Sequence, residues 1–300
     1  MATALISGLS KKLEQGLTIR VAEPSEEARA RLQSSFDVFV SSSAASVVQG
    51  ADVIVLAVKP QVLPAVLSEL AGTIEPGQLV LSIAAGATIA AIGQQLGPRQ
   101  AIIRSMPNTP ALVGEGISVL YAGEHCRPHH RDQAERILHA AGEVLWVDDE
   151  TLMDAVTAVS GSGPAYFFLL TEALAEAGVR LGLKEDIARK LAECTCIGAG
   201  AMLKHSTSGQ STSGQSTSRQ STSGQSTAGQ STAGQTTASQ STMGAAELRQ
   251  RVTSPGGTTQ AALNAFAAGN FKELVYAAAE AAERRGNELS LAPAAGGPGK

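Results

Sequence analysis

The sequence predicts an α/β domain built on a parallel sheet, followed by an all-helical domain. Three observations carry this. Short apolar runs alternate with helix-period segments up to about Val147. After Asp148 the apolar residues keep only the helical period. Hydrophobic residues make up 43% of the chain but aromatics only 3%, so the core must be Ala, Val, Leu and Ile, which suits helices packed closely on each other or on a sheet.

The elements follow in order. Leu5, Leu9 and Leu13 lie four apart and predict a helix over residues 2–15. Leu17–Val21 reads as a strand, closed by Glu23, Pro24 and Ser25, with a helix over 25–34. Val38–Val40 is a short strand and Ala44–Gln49 a brief helix. Val53–Val58 is a continuous apolar run stopped by Lys59 and Pro60, the pattern of a strand buried on both faces. A helix over Val62–Leu70, a strand over Leu79–Ile83, a helix over Ile89–Leu96 and strands over Ala101–Arg104 and Ile117–Tyr121 continue the alternation. Residues 151–204 predict helices broken at Gly161, Ser162, Gly163 and Pro164, and 259–289 predict helices again. The expected domains are therefore 1–147 and 148–300.

Residues 206–242 interrupt the second domain with a five-residue repeat: STSGQ, STSGQ, STSRQ, STSGQ, STAGQ, STAGQ, TTASQ, then Ser241 and Thr242. Small polar residues bury too little apolar surface to offset ordering entropy, so this tract is expected to be disordered.

Charge and composition narrow the function. The formal net charge is −4, and no basic stripe interleaves with aromatics, so nucleic acid is not an expected partner. The longest apolar runs are too short to span a bilayer, and Met1–Leu9 runs into Lys11, Lys12 and Glu14 without the form of a signal peptide; the expected location is the cytoplasm. Cys126, Cys194 and Cys196 are too few for a disulfide framework and read as small buried hydrophobes. His125, His129 and His130, with Cys126 among them, lack a second ligand cluster, so the histidines read as surface residues and no metal is expected.

Five motifs remain. Lys59 and Pro60 end a buried strand, where doubly wound sheets bind ligands. Ser82–Gly86 ends the next strand with small residues that let a flat ring approach or let a helix pack tightly. In Arg104–Pro110 two prolines stiffen a loop bearing Asn108 and Thr109. In Ser160–Tyr166 two glycines and a proline interrupt a helical stretch, as either a kink or a helix boundary. In Val252–Thr259 two glycines and two threonines precede a helix, where free amides and the helix dipole favour an anion.

Taken in sequence, AVKPQ, SIAAG, RSMPNTPALVGEG, DAVTAVSGSGPAYFFLLTEALAEAGVRLGL and ELRQRVTSPGGTT resemble the pyrroline-5-carboxylate reductase family over residues 1–205 and 243–290. The resemblance implies an N-terminal Rossmann-type domain, a C-terminal all-α dimerisation domain, and reduction of Δ1-pyrroline-5-carboxylate to L-proline. It implies NADPH as cofactor, with NADH open, and a homodimer or larger assembly. By the same resemblance Ala57, Val58, Lys59, Pro60, Ala84 and Ala85 line the nicotinamide side, with Asn108 and Pro110 nearby. Ser25 follows the second strand, where the adenosine ribose is recognised; it suits a 2′-phosphate, while Glu23 beside it suits free ribose hydroxyls. Ser254, Gly256, Gly257, Thr258 and Thr259 hold the substrate carboxylate, Thr259 also reaches the ring nitrogen as the candidate catalytic residue, and Ser160–Gly163 lie near the substrate.

The sequence departs from that family at its front. Met1–Leu9 matches the helix after the glycine-rich loop, so the expected domain is a truncated one, without its central strand and phosphate-binding glycines. A start assigned too late explains this, as does a degenerate copy. Two other functions therefore stay open: an inactive oligomerisation protein of the same descent, and a related imine or β-hydroxyacid reductase.

Overall fold

The computed structural model describes residues 1–12, 17–207 and 243–291. The chain forms two compact units. One runs from Met1 to Tyr166 and is rejoined by the chain from Lys272 onward; the other is Phe167–Phe271. All but the first two residues of the repeat expected to be disordered lie outside the described residues.

The first unit opens with α1 (Ala2–Lys12) and β1 (Arg20–Ala22). Ser25 caps α2 (Glu26–Ser35) by accepting from the Ala28 amide, and Glu26 and Glu27 in the first turn suit the helix dipole. β2 (Phe39–Ser41) and α3 (Ala44–Val48) follow, then β3 (Val53–Leu56), α4 (Leu63–Leu70) and β4 (Leu79–Ser82). Thr88 caps α5 (Ile89–Leu96) through the Ala91 amide, and Gly97 ends it at φ 116°, a conformation that suits glycine. β5 (Ala101–Pro107), a 3-10 turn at Thr109–Val113, β6 (Gly116–Ala122), α6 (Pro128–Leu138), β7 (Gly142–Trp146) and α7 (Met153–Val156) complete the order.

The described strands form two sheets: β1–β2, and β3–β4–β5–β6–β7. β3, β4 and β5 are parallel, with Leu56 beside Ser82 and Ser82 beside Arg104. Side-chain alternation along β4 divides the core. Leu79 and Leu81 face α1 and α6, where Leu5, Ala134 and Leu138 pack with Ile103 and Leu120. Val80 faces the other way, among Val47 of α3, Leu63, Leu67 and Leu70 of α4 and Ile92 of α5.

Three expectations need correction. The sheet is not parallel throughout: β6 runs antiparallel to β5, because the turn between them is far shorter than the crossover that parallel neighbours need. The region around His125–His130 was expected to be loop-like and on the surface. Instead Pro128 opens α6, and His130 is buried, its Nδ1 accepting from the Arg127 amide at 3.1 Å. Cys194 is exposed and Cys126 and Cys196 half-buried, rather than all three being core. By contacts, residues 148–166 group with the first unit, where Glu150 pairs with Arg104 and the Ser160 carbonyl accepts from Asn108.

That stretch contains a π-helical turn at Thr157–Gly161, marked by the Ser162 amide donating to the Thr157 carbonyl at 2.8 Å. α8 (Gly163–Arg180) leads into the second unit, which holds α9 (Glu185–Thr207), α10 (Ala245–Arg251) and α11 (Thr258–Ala268). Gly178 lets α8 and α9 approach closely: a Cβ there would lie 3.0 Å from that of Ala188. Phe167, Phe168, Leu169, Leu181 and Ile197 are exposed on this unit, far more apolar surface than a solitary helix pair carries into water. α12 (Phe271–Leu291) returns to the first unit.

Candidate functional site

The parallel register brings three loops to one sheet edge. β3, β4 and β5 are neighbours pointing the same way, so Ala57–Pro60, Ile83–Gly86 and Asn108 emerge side by side at their carboxyl ends. Ala57, Lys59, Pro60 and Ala85 are exposed there, Val58 is half-buried and Ala84 is buried. The Lys59 carbonyl accepts from the Val62 and Leu63 amides, which fixes the Lys–Pro turn at the start of α4. The Ile83 amide donates to the Leu56 carbonyl at 3.1 Å, and the Ser82 hydroxyl accepts from the Ala84 amide at 3.4 Å, so the small-residue loop is tied to both strands.

Asn108 is committed to the scaffold. Its Oδ1 accepts from the Ile117 amide at 3.0 Å and its Nδ2 donates to the Ser160 carbonyl at 3.2 Å, joining β5, β6 and the π-helical turn. Gly161 faces Met106: a Cβ there would lie 2.5 Å from the methionine Cε. The glycine break is therefore a docked wide turn, and not a plain helix boundary.

Sequence reasoning gave no role to Arg104, Glu150 or Asp154. Arg104 is 5% exposed in β5. Its guanidinium lies 3.1 Å from Glu150 Oε1 and 3.7 Å from Asp154 Oδ1. Glu150 Oε1 also accepts from the Ile89 amide at 2.9 Å, at the start of α5. The one signal was an arginine inside an apolar strand, which demands a buried partner.

Ser25 stands apart from the sheet edge, after β1. Its hydroxyl accepts from Ala28 at 3.3 Å and its amide donates to Glu23 Oε1 at 2.9 Å. Arg29 donates to the Glu23 and Pro24 carbonyls at 2.8 and 2.7 Å, which places a cation at the same turn.

In the second unit, Ser254, Gly256, Gly257, Thr258 and Thr259 form the entry to α11. Gly256 takes φ 71°, and the Gly257 amide closes the turn onto the Ser254 carbonyl at 3.0 Å. Gly257 is the N-cap and supplies no side chain. The first amides of α11, from Thr258 to Gln260, thus have no intrahelical or side-chain capping acceptor, an arrangement chemically suited to an anion.

Comparison with known proteins separates an N-terminal match from a C-terminal one that begins at residue 150. Residues 150–289 match the model of pyrroline-5-carboxylate reductase dimerisation, and residues 1–86 match that of NADP oxidoreductase, coenzyme F420-dependent. The chain is 41% identical to the pyrroline-5-carboxylate reductase of Pseudomonas aeruginosa, over 97% of this chain and 93% of that one. It is 37% identical to that of Mycobacterium tuberculosis, over 97% and 94%. The solved pyrroline-5-carboxylate reductase of Coxiella burnetii superposes with a TM-score of 0.80 at 34% identity, covering 97% of this chain and 95% of that one. The Plasmodium falciparum enzyme, solved with NADP bound, superposes with a TM-score of 0.73 at 26% identity, covering 96% and 94%. The chain belongs to the pyrroline-5-carboxylate reductase family.

Proposed function

We propose that this chain reduces the C=N bond of Δ1-pyrroline-5-carboxylate to give L-proline, using NADPH. The observation that carries the reading is the shared edge of β3, β4 and β5, which presents small and exposed residues in a chain of this family. The nicotinamide end of a dinucleotide fits that edge: Ala57, Ala84 and Ala85 leave room for a flat ring, and Val58, Lys59 and Pro60 border it. When bound, the dinucleotide supplies the hydride; the protein orients ring against ring.

The remaining roles follow from local chemistry. Ser25, with Arg29 at the same turn, receives the 2′-phosphate, which favours NADPH over NADH. The free amides at the start of α11 hold the substrate carboxylate, with Ser254, Gly256, Gly257 and Thr258 shaping the turn. The Thr259 hydroxyl hydrogen-bonds the ring nitrogen and keeps it in the protonated, more electrophilic form. Asn108 acts by bracing the edge and the Ser160–Gly163 turn. Self-association through residues 148–300 covers the exposed apolar helices, and the cytoplasm is the proposed compartment.

One observation favours a second reading, a self-associating protein without catalysis: β1–β2 and β3–β7 are separate sheets among the described residues. NADPH oxidation followed by absorbance, with and without Δ1-pyrroline-5-carboxylate, decides between them. Substrate-dependent oxidation with proline formed supports the reductase. A folded chain that oxidises no NADPH sinks it.

A further inference from the structure

Arg104 is the buried hub of a part-buried network that no step of the proposed reaction uses. Its guanidinium joins Glu150 and Asp154, at 3.1 and 3.7 Å. Taking the guanidinium out of water costs about as much in desolvation as such a pairing returns. What it supplies is orientation, because the planar guanidinium fixes two carboxylates at once.

The network holds the segment between β4 and α5. That segment, Ile83–Thr88, carries Ala84, Ala85 and Gly86. One end is set by the strand register, in which Ser82 lies between Leu56 and Arg104. The other end is set by Glu150, whose Oε1 receives both Arg104 and the Ile89 amide. α12 closes the third side. The Leu289 and Ser290 backbone lies 3.5 Å from the place of a Cβ on Gly86, and Ser290 Oγ lies 3.4 Å from Asp154 Oδ1. The same oxygen of Asp154 is 3.4 Å from the place of a Cβ on Gly286.

We infer that Arg104, Glu150 and Asp154 are positioning residues that clamp the Ile83–Thr88 segment, and with it the wall against which the nicotinamide ring lies. The inference rests on the reading of Ala84 and Ala85 as that wall. Glu150 is the element to perturb, since its carboxylate serves both the cation and the helix start.

Two measurements on the full chain test it. The first is hydrogen exchange without ligand. Glu150→Ala should raise exchange at Ile89 and its neighbours by about tenfold or more, as expected for a helix-start amide losing its acceptor, while Val53–Leu56 is unchanged. The second is kinetic. Glu150→Ala should lower kcat by about tenfold through misplacement of the reacting ring. Its affinity for 2′-phospho-ADP-ribose, which lacks that ring, should stay within about twofold, a change too small to signal a lost contact. Glu150→Gln keeps an acceptor for Ile89 and should restore most of the protection and of kcat.

Unchanged exchange over residues 83–92 overturns the inference. So does a parallel fall in kcat and in affinity for the ring-less analogue, or a Glu150→Gln chain as impaired as Glu150→Ala. Ala85→Phe separates the two claims. If it leaves kcat intact, the wall reading fails whatever Glu150 does. If it abolishes turnover while Glu150→Ala is silent, the clamp alone fails. In a chain that does not turn over, the wall reading fails and the exchange result decides the clamp.

Discussion

Gly8 sits inside α1, where alanine is ordinarily the better residue by about 1 kcal/mol. Here the sign should reverse. A Cβ on Gly8 would lie 2.2 Å from the Ala140 carbonyl oxygen and 2.8 Å from its carbon. Ordinary C···O approach stops near ~3.3 Å, so α1 would have to move outward by about 1 Å. The obstacle is backbone, which cannot rotate away, and overpacking of this kind costs roughly 1–3 kcal/mol. Set against the propensity gain, Gly8→Ala should destabilise by up to about 2 kcal/mol. Gly93 in α5 is the control: a Cβ there meets only Ile102 Cδ1, at an ordinary 3.7 Å. Gly93→Ala should stabilise by about 0.5–1 kcal/mol. Trp146 is the single tryptophan and lies at the end of β7, so its fluorescence during thermal unfolding reports on the first unit alone. The two variants should melt on opposite sides of the parent, each displaced by about 2–4 °C per kcal/mol. A Gly8→Ala chain that melts at or above the parent temperature would refute the packing argument.

Gly142 faces a harder wall, since its Cβ would fall 1.9 Å from the Gly116 oxygen across the β6–β7 pairing; Gly142→Ala should cost about 3 kcal/mol or more and show as lost soluble, folded protein. Burial holds the His130 pKa below its ordinary 6.5, so the unfolded chain binds the extra proton and His130 contributes stability that is full above about pH 6.5 and lost as pH falls. His130→Gln should flatten the dependence of urea stability on pH below that point; an unaltered slope would remove His130 from the account. Gly257→Ala crowds the Ser254 carbonyl at 3.2 Å and should raise KM for Δ1-pyrroline-5-carboxylate about tenfold, the worth of one hydrogen bond to a charged group, with KM for NADPH unmoved. Ser25→Ala should remove about 1 kcal/mol of helix capping and narrow the preference for NADPH over NADH, read as the ratio of kcat/KM values.

Much of the sheet was legible because its signals are local. β3 and β4 are unbroken apolar runs, and their neighbours α4 and α5 carry the helical period that buries Leu63, Leu67, Leu70 and Ile92. α6 was missed because its buried contacts are only His130, Ala134 and Leu138 amid charged residues, too thin a stripe to read. β7 was missed because its outward residues include Leu145, which blurs the alternation. The motifs at the strand ends and at α11 were legible because proline and glycine mark turns. The Arg104 network was not, because Glu150 and Asp154 lie far along the chain and nothing local announces the pairing. Gln78 is a similar case: its Nε2 donates to the Val48 and Ala51 carbonyls from a distant loop.

The division of the strands into two sheets has a mechanical consequence. A hydrogen-bond ladder spreads stability sideways from strand to strand, and here, among the described residues, the ladder stops at β3. The segment from β1 to β2 is joined to the rest through α3, where Arg20 donates to the Gln49 carbonyl at 2.8 Å, and not through backbone pairing. It therefore forms its own foldon, able to open while the five-stranded sheet stays shut, and within the first unit limited proteolysis should cut first between Glu23 and Ser41. The open flank of β3 is the complementary hazard. Among the described residues Val53–Leu56 pairs on one flank only, and an unpaired flank is the kind of edge on which another strand can dock.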